Sequence, residues 1–461
     1  MSQDPRARMH VSNLDTVALR EAIFDYTRER MSLNPAPLDS PLTLEQLTEL
    51  APETISESGL GGKDALRLFA EVLAPACLST DHPGYLSFIP TAPTEAATLF
   101  DLVVSASSIY GGSWMEGAGA VYAENQVLAW LAREVGLPAG SGGVFVQGGT
   151  LGNLSALVTA RDVMQKKTSQ SGLEVKRWKF ICSKEAHSSL VAAAKVMDVD
   201  IVTADVDDEG RLTGAAVARA LQVAGTGVFA IVATAGTTNF GIVDRIREVG
   251  EITKKHDLWF HVDGAYGLAG ILSPLTKELF DGTELADSFI VDPHKWLFAP
   301  FDACALVYRE PALAAAAHTQ HGEYLDTLTD SGEWNPSDYA FNLTRRARGL
   351  PIWFSLATHG VSAYRDAVSE NIELAHRIAA EIERRPKLKL VRKPELSVVV
   401  FEREGWELGD YERWSEHLLS TGRALVVPSS HRGRPNARFA IVNPLTTYEL
   451  LVEILDSMET L

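Results

Sequence analysis

The spacing of apolar and polar positions divides the chain into three stretches. Over the first 75 or so residues Leu14, Val17, Ala18, Phe24 and Met31 recur near a 3.6-residue period, with charged residues between them. The prolines from Asn34-Pro35-Ala36-Pro37 to Pro41 break that helix, and Thr43-Leu44-Glu45-Gln46 has the form of a capping box that restarts one. Apolar-faced helices without a sheet of their own predict a segment that packs on another body, such as a partner subunit. From about residue 90 to 310, short β-rich runs alternate with longer helical patterns. Gly143–Val146, Lys179–Cys182, Asp200–Thr203, Gly227–Thr234, Leu258–Val262 and Ser288–Val291 read as strands, and Leu154–Lys166 and Ser188–Met197 as helices. Runs this apolar suit strands buried on both faces, and their alternation with helices predicts a largely parallel α/β sheet.

After Leu350-Pro351 the pattern is helical, then strand-like at Ser397–Phe401, Ala424–Val427 and Arg438–Val442, and ends in a helix over Thr447–Met458. This predicts a smaller α+β unit. The expected boundaries are 1–85 for the N-terminal helical segment, 86–350 for the large domain and 351–461 for the small one.

Ligands of such sheets sit at the carboxyl ends of the strands, which directs attention to the residues just past each run. Val146 is followed by Gln147-Gly-Gly-Thr150-Leu-Gly-Asn153, a glycine-rich turn opening a helix, where exposed amides and the helix dipole favour a phosphate. Val262 is followed by Asp263-Gly-Ala265-Tyr266, whose carboxylate is either a helix cap or a ligand. Val291 is followed by Asp292-Pro-His294-Lys295-Trp296, which sets a lysine against an apolar interior. Desolvation there is expected to lower its pKa and leave a nucleophilic amine. Singly, each has an ordinary structural explanation. Together, a phosphate cradle, a carboxylate and an amine are the three fixtures that hold pyridoxal 5'-phosphate.

Charge and composition narrow the partners. Lys+Arg number 42 against 60 Asp+Glu, a net −18 that argues against nucleic acid and anionic membranes. No apolar stretch approaches the roughly 18–20 residues that span a bilayer. The polar Met1–His10 stretch has no apolar run behind it, so no secretory signal is expected. Cys77, Cys182 and Cys304 are scattered with no Cys-x-x-Cys spacing, which fits free thiols in a reducing cytoplasm. No metal is expected.

Asp292-Pro-His-Lys-Trp296, with His261-Val-Asp-Gly-Ala-Tyr266 upstream, resembles the group II pyridoxal-phosphate decarboxylases, the aromatic-L-amino-acid decarboxylase-like enzymes of the aspartate-aminotransferase fold, fold type I. In the same order His82-Pro-Gly-Tyr-Leu-Ser-Phe-Ile-Pro-Thr91 resembles the early substrate loop and Glu185-Ala-His-Ser-Ser189 the segment of the ring-stacking histidine. Ala233-Thr-Ala-Gly-Thr-Thr238 resembles the loop beside the cofactor's phenolic oxygen, and Leu343-Thr-Arg-Arg-Ala-Arg348 the arginine-rich turn before the small domain.

The resemblance implies a role for each matching residue. Lys295 forms the internal Schiff base, Asp263 keeps the pyridine nitrogen protonated, and Ala265 and His187 lie on opposite ring faces. Gly149, Thr150 and His294 serve the phosphate or proton traffic, and Thr238 touches the cofactor oxygen. Tyr324, in Gly322-Glu-Tyr-Leu325, corresponds to the general acid on a loop (His318 to Tyr339) usually supplied by the neighbouring subunit, which implies a homodimer with its sites at the interface. Phenylalanine there accompanies oxidative deamination to aldehydes, so tyrosine favours plain decarboxylation.

The substrate side implies Phe88, Ile89, Thr91 and Trp114, with Thr80 and Gly84 nearby. Tyr110-Gly-Gly-Ser-Trp114 has glycine where an aromatic is expected, so a wider or partly aliphatic pocket is anticipated. Glu116 either faces a cationic substrate or is solvated. Asp292 replaces a common asparagine near the phosphate and is expected to point elsewhere or pair with a cation. The implied reaction is conversion of an L-amino acid, aromatic or large and apolar, to the amine and CO2. The competing readings are an aldehyde synthase, a carbon–carbon lyase, a decarboxylase of diamino or acidic amino acids, and a cofactor-binding protein without turnover.

Overall fold

Seven strands form the central sheet of this computed structural model, which describes residues 9–10, 12–51, 54–172, 174–320 and 333–460. They are β1 (Gly142–Val146), β2 (Lys179–Ser183), β3 (Asp200–Ala204), β4 (Val228–Thr234), β5 (Trp259–Asp263), β6 (Ser288–Val291) and β7 (Cys304–Tyr308). Their spatial order is β1-β7-β6-β5-β4-β2-β3. The run from β3 to β6 is parallel, while β7 is antiparallel to both β6 and β1. Every residue of β1, β4, β5, β6 and β7 is buried, which is why these strands read as unbroken apolar runs rather than alternating ones. Strand β3, at the edge, is mostly half-exposed.

The apolar alternation predicts every strand of the parallel run but not β7. Only residues 292–303 separate it from β6, and they hold one short helical turn, so the chain returns antiparallel where a parallel partner would need a full crossover.

A second sheet, ordered β10-β11-β9-β8 and wholly antiparallel, contains β8 (Leu388–Leu390), β9 (Val398–Arg403), β10 (Ser429–His431) and β11 (Arg434–Ala440). The strand expected at Ala424–Val427 is not part of it. Leu425 instead forms a lone parallel bridge with Tyr85, and Val426 is spent on core packing. The same segment receives the early substrate loop: Leu86 donates its amide to the Leu425 carbonyl at 3.0 Å and accepts from the Ala440 amide at 2.9 Å. The helix Leu350–Arg384 serves both cores, Ile352, Val368 and Ile372 entering the large one and Ala375, Ile378 and Ile382 the small one.

At the other end, the helices Leu14–Ser32, Leu44–Leu50 and Gly62–Leu68 bury no residue. The second of them starts as expected, with the Gln46 amide donating to Thr43 Oγ1 and the Thr43 amide to Gln46 Oε1. Among the described residues no helix is long and apolar enough to cross a membrane.

Candidate active site

A cavity of about 390 Å³ opens at the carboxyl ends of β1, β4, β5 and β6, within the roughly 300–1,000 Å³ typical of small-molecule sites. Its floor and walls come from the turns that follow these strands. The helix Gly149–Ser171 begins two residues after β1, and Gly148, Gly149 and Thr150 at its start line the cavity, the Gly149 amide donating to Asp292 Oδ2 at 3.2 Å. Close approach favours glycine here: a Cβ on Gly149 would lie 3.1 Å from both Ala265 Cβ and Asp292 Oδ2, so a neighbour would have to give way by a few tenths of an ångström. The turn therefore sits hard against the Asp263–Ala265 and Asp292 segments, and Thr150 lines the space in front of it.

Asp263 ends β5 and is 5% exposed. Its Oδ1 accepts from the Ala265 amide at 3.2 Å and its Oδ2 from Asn153 Nδ2 at 2.9 Å. Behind it runs a buried relay. The Trp259 indole donates to Ser288 Oγ at 2.8 Å, Ser288 Oγ lies 2.8 Å from His261 Nδ1, and His261 Nε2 lies 2.9 Å from Asn153 Oδ1. Because Asn153 donates its Nδ2 to Asp263, its Oδ1 accepts from His261 Nε2, and the neutral ring then accepts at Nδ1 from the Ser288 hydroxyl. Burial holds the His261 pKa down at about 4 against the pull of Asp263, so the ring is neutral and can play both parts.

Lys295 follows β6 on the short turn Pro293–Trp296 and reaches into the same cavity. Its Nζ lies 3.0 Å from Asp292 Oδ2. Burial pulls the Lys295 pKa down, but the charge and hydrogen bond of Asp292, with Asp263 beyond, outweigh it and hold the amine above its ordinary value. This corrects the sequence expectation of a lowered pKa. Desolvation acts as anticipated, and the carboxylate three residues earlier more than cancels it. Asp292 does pair with a cation, namely Lys295 itself.

His294 packs beside this pair, with Nδ1 3.1 Å from the Ala303 nitrogen and 2.8 Å from its carbonyl, and Nε2 3.8 Å from Asp292 Oδ2. Burial pushes its pKa down, which favours the neutral ring. His187 lines the cavity from the turn after β2, its Nδ1 accepting from the Ser189 amide at 3.1 Å, which leaves Nε2 as the protonated nitrogen. Thr238 and Thr237 line it from the turn after β4. Lys295, Asp263, Ala265, His187, Gly149, Thr150, Thr238 and His294 thus share one cavity.

The residues anticipated for the substrate are placed differently. Thr91 is 3% exposed and donates its hydroxyl to the Ala299 carbonyl at 2.7 Å. Ile89 belongs to the large core. Phe88 is 60% exposed. Trp114 opens the helix Trp114–Val135, its amide donating to Asn335 Oδ1. Glu116 accepts from the Ser113 hydroxyl at 2.8 Å and so closes the N-cap of that helix. The glycine at position 112 leaves room for the ring of Tyr110, which a Cβ there would overlap. Tyr324 lies outside the described residues.

Two further residues carry the site's geometry without standing out in the sequence. Asn153 holds Asp263, and Arg438 on β11 donates to the Thr238 carbonyl at 2.5 Å and to the Phe88 carbonyl at 2.8 Å. A signal for Arg438 does exist: an arginine inside the apolar strand pattern Arg438-Phe-Ala-Ile-Val442 needs a partner.

The cavity's donor set fits pyridoxal 5'-phosphate: a helix N-terminus for the phosphate, a buried carboxylate for a ring nitrogen and an amine for the aldehyde. The profile of the pyridoxal-dependent decarboxylase conserved domain matches residues 45–404. The chain is 29% identical over 444 residues to the aromatic-L-amino-acid decarboxylase of Bacillus atrophaeus, covering 93% of this chain and 91% of that protein. It is 26% identical over 436 residues to the L-2,4-diaminobutyrate decarboxylase of Acinetobacter baumannii, covering 88% and 85%. The solved structure of Oryza sativa TDC with PLP and tryptamine has the same fold, with a TM-score of 0.90, 23% identity and 98% of each chain covered.

Proposed function

The chain belongs to the family of pyridoxal-dependent decarboxylases, and we propose that it converts an aromatic or large apolar L-amino acid to the amine and CO2. The observation that carries this reading is the convergence of Lys295, Asp263 and the Gly149–Thr150 turn on one cavity. When bound, pyridoxal 5'-phosphate supplies an electron sink for the bonding pair left behind as the carboxylate departs.

The chain's own residues hold and aim that sink. Lys295 is the point of covalent attachment. Asp263, oriented by Asn153 and kept dry by burial, holds a proton on the ring nitrogen. Ala265 and His187 would hold the ring, and a side chain larger than alanine at 265 would press on the Gly149 turn. Gly149, Thr150 and His294 would hold the phosphate, and Thr237 and Thr238 the phenolic oxygen. Arg438 ties the Thr238 turn, which lines the cavity, to the backbone of the Phe88 loop. Phe88, presented on that loop, is the apolar contact for the substrate side chain. Tyr324 delivers the proton that completes the amine.

The working form is a homodimer with its sites at the interface. Leu14, Leu44 and Ile55, 88%, 83% and 87% exposed in the N-terminal segment, support a second copy as their cover. Three free thiols support a reducing, cytoplasmic setting.

A panel of L-amino acids assayed for CO2, amine, ammonia and peroxide tests the proposal. Aromatic and large apolar members should give amine and CO2 in equal amounts. Stoichiometric ammonia or peroxide would replace it with an aldehyde synthase, and release confined to diamino or acidic substrates would overturn the substrate class. Lys295→Ala should lose all borohydride-trappable cofactor, and full activity in that variant would remove Lys295 from its role.

A further inference from the structure

Asp292 lines the cavity beside the Gly149 turn that opens the helix after β1. It is 1% exposed. Its Oδ2 accepts from the Gly149 amide at 3.2 Å, pairs with Lys295 Nζ at 3.0 Å and lies 3.8 Å from His294 Nε2. The first-turn amide of a helix and a neighbouring histidine are the donors a phosphate monoester uses, and here a fixed carboxylate already engages the one and adjoins the other. Among the described residues the buried Oδ1 takes no nitrogen or oxygen donor, and the Cys304 thiol is the side chain that hydrogen-bonds to this carboxylate. Among the described residues lining the cavity, Lys295 is the one lysine or arginine, and Asp302 is a further acid. Burial first, and the Asp292 charge after it, push the Cys304 thiol far up, so it stays neutral, and Asp263 on β5 is another acid.

We propose that Asp292 opposes the phosphate end of the cofactor, so that this chain holds pyridoxal 5'-phosphate loosely and takes up a proton from solvent, shared between carboxylate and phosphate, as it binds. The proposal rests on the cofactor reading above and concerns a residue to which that reading gives no role. Without the cofactor, Asp292 serves Lys295 and the Gly149 amide. With it, both are claimed by the ligand, and the carboxylate is left facing an anion in a dry site, where like charges are costly. A shared proton removes one of the two charges. Affinity should therefore fall as pH rises.

The test is titration of the cofactor-free protein and its Asp292→Asn variant with pyridoxal 5'-phosphate and, separately, with pyridoxal. Tryptophan fluorescence and visible absorbance report binding, at mildly acid and mildly alkaline pH. The variant should bind pyridoxal 5'-phosphate about tenfold more tightly at the alkaline pH, with a flatter pH dependence, and should gain much less for pyridoxal. Asp292→Ser, which also removes the charge, should repeat the gain, and unfolding midpoints of the cofactor-free proteins establish that each variant is folded. A folded variant that binds the phosphate ester no more tightly than wild type would overturn the proposal. Equal gains for both ligands would do the same, because the effect would then run through Lys295 alone. A wild-type protein that binds neither ligand would overturn the cofactor reading itself.

Discussion

Asn153 Nδ2 donates to Asp263 Oδ2 at 2.9 Å because the other side of the same amide is occupied by His261 Nε2, also at 2.9 Å. An amide that is acceptor on one side and donor on the other cannot flip without breaking both bonds. The orientation of the carboxylate is thereby fixed from the far end of a relay that starts at Trp259.

Replacing Asn153 by leucine removes the donor to Asp263 and leaves the His261 N–H buried without a partner. One such loss costs about 1–3 kcal/mol of folding stability, and with Asp263 no longer held kcat should fall roughly tenfold while the cofactor stays attached. Steady-state kinetics beside the visible absorbance of the bound cofactor checks this. A variant with normal kcat would mean that Asp263 orients itself.

The Gly149 turn should tolerate a side chain poorly. In Gly149→Ala the new methyl would meet Ala265 Cβ and Asp292 Oδ2 at 3.1 Å, so one of these segments has to yield. Cofactor affinity is expected to drop about tenfold or more, measured by equilibrium dialysis. An unchanged dissociation constant would show that the turn has slack.

Acid should destabilise the fold through its buried histidines. The His261 pKa is about 4 in the folded chain against an ordinary 6.5, so the unfolded chain binds the proton first. The stability this group contributes is complete above pH 6.5 and is lost as pH falls toward 4, at a slope of up to about 1.4 kcal/mol per pH unit. His82, His294 and His318, all lowered chiefly by burial, add to it. Denaturant unfolding between these limits should give a shallower slope in His261→Gln than in wild type. Equal slopes would exclude His261 as a contributor.

Tyr324→Phe should keep the attached cofactor and shift products from amine toward aldehyde. Chromatography of the products after a single substrate load decides it. An unchanged amine yield would take the proton-donor role away from Tyr324.

The strand ends are legible in the sequence because each joins two readable features, an apolar run and a residue that does not belong beside one. Lys295 after β6 and Asp263 at the end of β5 stand out on those terms alone. The Lys295 charge state is not legible in this way. Desolvation can be judged from neighbours in sequence, whereas the answer depends on which way the Asp292 carboxylate turns. Asn153 escapes notice for a related reason: an asparagine four residues past a glycine turn looks like helix surface until the packing shows it 1% exposed. Thr91 and Ile89 carry chemistry suited to a substrate wall, yet their backbone positions send one toward the Ala299 carbonyl and the other into the core. Which way a loop side chain points is set by long-range packing that no local pattern encodes.

The attachment of Leu86 to Leu425 and Ala440 has a mechanical consequence. The loop bearing Phe88 is fastened on two sides: Leu86 joins the C-terminal segments, while Thr91 holds the Ala299 carbonyl four residues past Lys295 and Arg438 holds the Thr238 turn. A tilt between the two sheets would therefore have to break these bonds before it could carry Phe88 away from the residues around Lys295. Substitutions at Thr91 or Arg438 should loosen that loop more than substitutions elsewhere in the C-terminal sheet.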